Sequence, residues 1–190
     1  MTGSVTHRPT DLPVDVPGDV PVDGLHLRDA VRALLIDEHD DVLLVRFEFP
    51  TATVWALPGG GLELGEDPET GLRRELREEL GLHELEIGPH VWNRIHVIPM
   101  TTGHDGQRDR VHLVRTLRFE PQPELGWDAL RDEYVHEIRW WTVDEIEAGS
   151  AARVSGQDGR PVVFAPRRLA ALLRRVLAEG PPIEPIETGV

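Results

Sequence analysis

Residues 60–82 read GGLELGEDPETGLRRELREELGL, and the second half of that stretch has the marks of one amphipathic helix. Asp67 suits an N-cap, Pro68 suits the first helical position, and Glu69 suits the positive end of the helix dipole. Leu72, Leu76 and Leu80 recur as a buried stripe, and Gly81 supplies the stop, so the spacing predicts a helix over 68–80. On it Glu75, Glu78 and Glu79 fall at i, i+3 and i+4 and share one face. Like charges so placed cost a few tenths of a kcal/mol per pair, and such a face invites a hard divalent cation, which takes oxygen ligands. The plain alternative is a charged solvent face on an ordinary amphipathic helix.

The flanks read as strands. Ala30 to Ile36 and Val42 to Phe47 are apolar and β-branched around an acidic turn, which predicts a hairpin. Val54 to Leu57 is a short strand running into Pro58-Gly59-Gly60-Gly61, where glycine permits close backbone approach. Leu85 to Val97 and Arg110 to Phe119 predict strands around a polar loop, Thr101 to Asp109. Glu137 to Thr142 predicts a further strand, Val143 to Ile146 a brief helix, and Val154 to Phe164 a hairpin across Gln157-Asp158-Gly159. Arg167 to Ala178 has leucines and a valine on one side and Arg174 and Arg175 on the other, as an amphipathic helix should. Prolines every four residues from Pro9 to Pro21, interleaved with aspartates, mark 1–24 as a flexible extended segment. The expected organisation is thus a single domain over 25–179, with 180–190 a loose proline-rich tail.

Composition narrows the function. A chain of 190 residues that is 39% hydrophobic can bury a real core. Net charge is −14, which disfavours tracking along nucleic-acid phosphates. There is no cysteine, so disulfides, thiolate nucleophiles and Cys-ligated metals are excluded, and the cytoplasm is the expected compartment. No apolar run is long enough to span a bilayer, and no membrane partner is expected. All 20 basic residues are arginine, which reads mainly as a bias of the coding sequence.

The spacing G-x5-E-x7-R-E-L-x-E-E-x-G-L, preceded by Leu57-Pro58-Gly59, resembles the signature of the Nudix (MutT-like) hydrolases at every fixed position. The segment Trp140-Trp141 with Asp144-Glu145-Ile146 is similar to the family's late strand-to-helix turn. The resemblance implies an α+β Nudix fold, a mixed β-sheet sandwiched between α-helices. It implies hydrolysis of a diphosphate bond in a nucleoside diphosphate linked to another group, with Mg²⁺ or Mn²⁺ as cofactor. It further implies that Glu75, Glu78 and Glu79 bind the metal, that the Gly59 carbonyl is a backbone ligand, and that Arg74 orients a glutamate while Glu66 supports the loop. Glu78, Glu79 or, outside the box, Glu137 is expected as the catalytic base.

Substrate contacts are expected from Arg94, His96, Arg108 and Arg110 around the 100s loop. Strand alternation puts Arg94 and His96 on one side together, and likewise Arg110 and His112. Pro99 falls near a proline associated with ADP-ribose-type members and tilts the expectation towards ADP-ribose or a nucleotide sugar over a nucleoside triphosphate. A non-catalytic nucleotide-binding Nudix module is the alternative, and the intact box argues against it. The related isopentenyl diphosphate isomerases use a cysteine that this chain lacks. A homodimer is expected from the family.

Overall fold

The computed structural model describes residues 23–49, 52–97, 103–152 and 162–189. Pro99, the expected turn at 157–159 and nearly all of the proline-rich N-terminal segment lie outside these residues. The hairpin forms as β1 (Leu27–Ile36) and β2 (Val42–Glu48). Asp37 closes its turn, accepting from the backbone N–H groups of His39 and Asp41 at 2.9 Å each. β3 (Thr53–Ala56) and β4 (Gly59–Gly61) follow, then α1 (Pro68–Leu80). Asp67 caps α1 by accepting from Glu69 N and Thr70 N, and Gly81 ends it with φ 69°, a left-handed conformation glycine adopts without strain.

Next come β5 (His90–Val97), β6 (Gly106–Arg115), α2 (Gly126–Asp132), β7 (Val135–Trp141), α3 (Val143–Ala152), β8 (Val162–Ala165), α4 (Leu169–Glu179) and β9 (Ile186–Glu187). The strands form one mixed sheet in the order β8-β3-β2-β1-β6-β5-β9, with β4 also paired to β1 and β7 to β2. β1 runs parallel to β6 and β3 parallel to β8, while β2 pairs antiparallel with β3 and β7.

Each face of the sheet buries its own core. On one face Val31, Ala33, Leu35, Leu43 and Val114 meet Leu72, Leu76 and Leu80 of α1. On the other Leu34, Ile36, Val42, Leu44, Trp55 and Trp92 meet Ile146 of α3 and Leu169, Leu173 and Val176 of α4. Helices thus cover both faces, as the resemblance implies. Trp140 and Trp141 divide between the two faces: Trp140 packs on the α1 side and donates to the Phe119 carbonyl at 3.0 Å, while Trp141 stacks edge-on against Trp55 and Phe164.

Several elements differ from the sequence reading. The expected 154–164 hairpin contributes β8, which pairs parallel to β3. The helix α2 has no sequence counterpart: it is one short stretch that buries only Leu130 and has no side-chain cap. The tail at 180–190 contains β9, which runs beside β5 and packs Ile186 on the core. Its prolines precede the paired residues, so the N–H groups the ladder needs are present. Among the described residues no helix is long and apolar enough to cross a membrane.

Candidate active site

The glycine strand and α1 are held together by one arginine. Arg74 donates from Nε and Nη2 to the two oxygens of Glu66 at 3.0 and 2.9 Å, a bidentate fork. Nη1 reaches Glu75 at 2.8 Å and Glu78 at 3.2 Å, and Nη2 also donates to the Gly61 carbonyl at 3.1 Å. The fork holds the Glu66 carboxyl below its ordinary value. Its register with the box therefore has a physical cause: without Arg74, three carboxylates on one turn and loop would repel one another.

Glu75 and Glu79 lie deeper. Burial pushes the Glu75 carboxyl up, with Arg74 opposing. Glu79 is 5% exposed, and burial pushes its carboxyl up to about 8 against the nearby Arg32 and a hydrogen bond from Gly59. That bond runs from Gly59 N–H to Glu79 Oε2 at 2.8 Å. The neighbouring carboxylates Glu75 and Glu133 add to the upward push. Glycine is required along this strand. Gly59 has φ 121° and a Cβ there would overlap the Val31 carbonyl oxygen, while a Cβ on Gly60 would stand 2.5 Å from the Glu75 carboxylate.

The donor set on α1 is made of hard carboxyl oxygens, partly desolvated, which fits a divalent cation. Among the described residues no three acidic or histidine side chains converge on one point: Glu75 and Glu78 both turn to Arg74, and Glu79 turns to Gly59. The Gly59 carbonyl, the backbone ligand implied by the resemblance, accepts a hydrogen bond from Arg32 Nη1, which also reaches the Leu57 carbonyl at 3.3 Å.

Arg32 was not legible as a site residue. It leaves β1 on the face opposite α1 and pairs with Asp109 of β6, Nε to Oδ1 at 3.5 Å. Asp109 is 3% exposed and is also met by Arg94 Nη1 at 3.3 Å and by the Gln107 amide at 2.6 Å. Burial pushes the Asp109 carboxyl up, but Arg32, Arg94 and Gln107 outweigh it and hold it below its ordinary value. The parallel pairing of β1 with β6, with Ala30 opposite Asp109, brings these residues together. An arginine between Val31 and Ala33 inside an apolar strand was the one available signal.

The expected substrate contacts divide by face. Arg94 and His96 stand across β5–β6 from Asp109 and Gln107, on the Arg32 side. Arg108 and Arg110 point to the opposite side and are exposed, with Arg108 3.7 Å from Asp29. Glu137 lies on β7 across from Arg46, whose Nε is 3.1 Å from it, and does not join the Arg74 cluster.

A family model described as NUDIX domain matches residues 26–160. The chain is 46% identical over 113 residues to Nudix hydrolase 26, chloroplastic, of Arabidopsis thaliana, covering 53% of this chain and 51% of that protein. It is 45% identical over 62 residues to nucleoside triphosphatase NudI of Escherichia coli, covering 32% of this chain and 43% of that one. The chain thus spans about half the length of these curated relatives. Among solved structures, the NUDIX domain of Shewanella oneidensis NrtR in complex with ADP ribose superposes with TM-score 0.56 at 19% identity, covering 85% of this chain and 95% of that domain. The MutT protein of Methanosarcina mazei Go1 superposes with TM-score 0.55 at 18% identity, covering 82% of this chain and 96% of that one. At those identities the likeness shows the fold.

Proposed function

Because this chain belongs to the NUDIX domain family, we propose that it is a metal-dependent hydrolase that cleaves a diphosphate bond in a nucleoside diphosphate linked to another group. The observation that carries this reading is the Arg74 fork, which gathers Glu66, Glu75 and Glu78 beside a glycine strand whose N–H fixes Glu79. Glu75, Glu78 and Glu79 would hold Mg²⁺ or Mn²⁺, which supplies charge neutralisation and Lewis-acid polarisation of the phosphoryl oxygens. Arg74 orients the carboxylates. Glu79 has one oxygen committed to Gly59 N–H, and the high proton affinity that burial gives it suits a base near neutral pH. Glu78, more exposed, is the other candidate base. Glu137 stays a weaker one, since its partner is Arg46.

The substrate class is favoured as ADP-ribose or a nucleotide sugar, with a nucleoside triphosphate as the competing choice. A solved neighbour binds ADP ribose and a curated relative is a nucleoside triphosphatase, so both enter the test. Phosphate-product release is measured across a panel of these compounds with Mg²⁺. Turnover of at least one compound is expected, with loss on chelation. Glu78→Gln and Glu79→Gln should each lower kcat by roughly a hundredfold or more while the fold survives. Tight nucleotide binding with no turnover anywhere in the panel would point instead to a non-catalytic module.

A further inference from the structure

Arg28 departs from the pattern of its neighbours. It lies on β1 two positions before Ala30, facing the same side as Arg32, and is half-buried. The other arginines of that face have acceptors: Arg32 and Arg94 share Asp109, Arg46 meets Glu48 and Glu137, and Arg139 meets Glu145. Arg28 makes no hydrogen bond or ion pair with any described residue. The box carboxylates across the glycine strand do not take it, because Arg74 holds Glu66, Glu75 and Glu78, and Glu79 is bound to Gly59. Holding a partly desolvated guanidinium with no acceptor among the described residues is costly. In a chain of net charge −14 a carboxylate partner would be easy to supply.

Gly61 is built around this group. A Cβ at Gly61 would overlap the Arg28 guanidinium, so any side chain there would displace it. Gly60 gives way to Glu75 on the other side of the same strand. Three glycines thus form a partition one backbone thick, with carboxylates on one side and, on the other, a guanidinium that no described residue neutralises.

We propose that Arg28 binds a phosphate oxygen of the substrate's diphosphate and that Gly61 is glycine to leave room for its guanidinium. The proposal rests on the diphosphate recognition in the hydrolase reading above. A guanidinium offers paired donors at the spacing of two phosphate oxygens, which a lysine at this position would not.

The test uses imidodiphosphate with Mg²⁺, titrated into the full chain by calorimetry. Arg28→Ala should weaken binding at least about tenfold, the scale of one charge-assisted fork, and Arg28→Lys should recover part of it. Gly61→Ala keeps the charge but moves it, and should weaken binding as well. Affinity for Mn²⁺ alone, read by electron paramagnetic resonance, should stay as in the unsubstituted protein for the two Arg28 variants. With a turned-over substrate, Arg28→Ala should raise KM while kcat changes little. The proposal is overturned if the unsubstituted protein fails to bind imidodiphosphate, if Arg28→Ala binds it unchanged, or if Arg28→Ala loses Mn²⁺ affinity in step. Arg28-dependent imidodiphosphate binding in a protein that turns over no compound of the panel would support this proposal and sink the hydrolase reading.

Discussion

Glu79 ties the stability of the protein to its site. Its carboxyl is buried and prefers the neutral form, with a proton affinity near pH 8 in the fold against 4.5 when exposed. As pH rises between those values the unfolded chain releases a proton that the folded chain retains, so folding stability falls across that window and levels off above it. Added Mg²⁺ binds the ionised folded form and should offset the loss, most strongly at the alkaline end. Melting temperatures in chelator from about pH 5 to about pH 9 would check this, with Glu79→Gln flattening the dependence. A profile in chelator that rises with pH would show that Glu79 does not govern it. At this scale the sequence disclosed the groups whose partners are local: Arg74, Glu66 and the box glutamates lie within one turn and one loop. It did not disclose Arg28, which stands against Gly61 of β4, nor that Arg32 meets Asp109, which depends on β1 lying parallel to β6. No spacing within the chain encodes that pairing.

Among elements, α1 was the most legible, since cap, stripe and stop each have a local chemical cause. Its contributions should separate by size. Leu76 is wholly buried against the sheet, so Leu76→Ala should cost about 3 kcal/mol in chemical denaturation, a transfer loss plus a cavity. Asp67→Ala removes two exposed cap bonds and should cost clearly less than Leu76→Ala. Equal losses would mean that α1 does not take its stability chiefly from packing. The hairpin was legible as two apolar runs around an acidic turn, and α4 as a helical period matched to an apolar face. α2 was not, since a seven-residue helix with one buried side chain leaves almost no period to read. The direction of β8 was not legible either: an apolar run states that it is buried, not which neighbour it runs beside.

For the whole molecule, the C-terminal strand decides whether β5 is left as an open edge of the sheet. Read as sequence, a stretch with Pro181, Pro182 and Pro185 looks unable to pair. The structure pairs it anyway: Ile186 and Glu187 lie parallel to Trp92 and Asn93, and the bonding extends through Thr188 N to the Asn93 carbonyl at 2.9 Å and Ile95 N to the Gly189 carbonyl at 3.0 Å. The Asn93 amide also donates to Glu187 at 2.9 Å. These contacts cover the backbone of β5 on the side away from β6, and Ile186 closes the core beside Trp92. Removing residues 185–190 would bare a run of unpaired N–H and C=O groups on β5, which is the usual template for strand addition by another chain. The shortened protein should therefore melt lower and self-associate more at equal concentration. Arg94 lies on the same strand, so binding of imidodiphosphate should weaken as well. Sedimentation velocity and calorimetry on the truncated chain measure the three effects together. If the truncated chain stays as monodisperse and as heat-stable as the full one, β9 contributes nothing to closing the sheet.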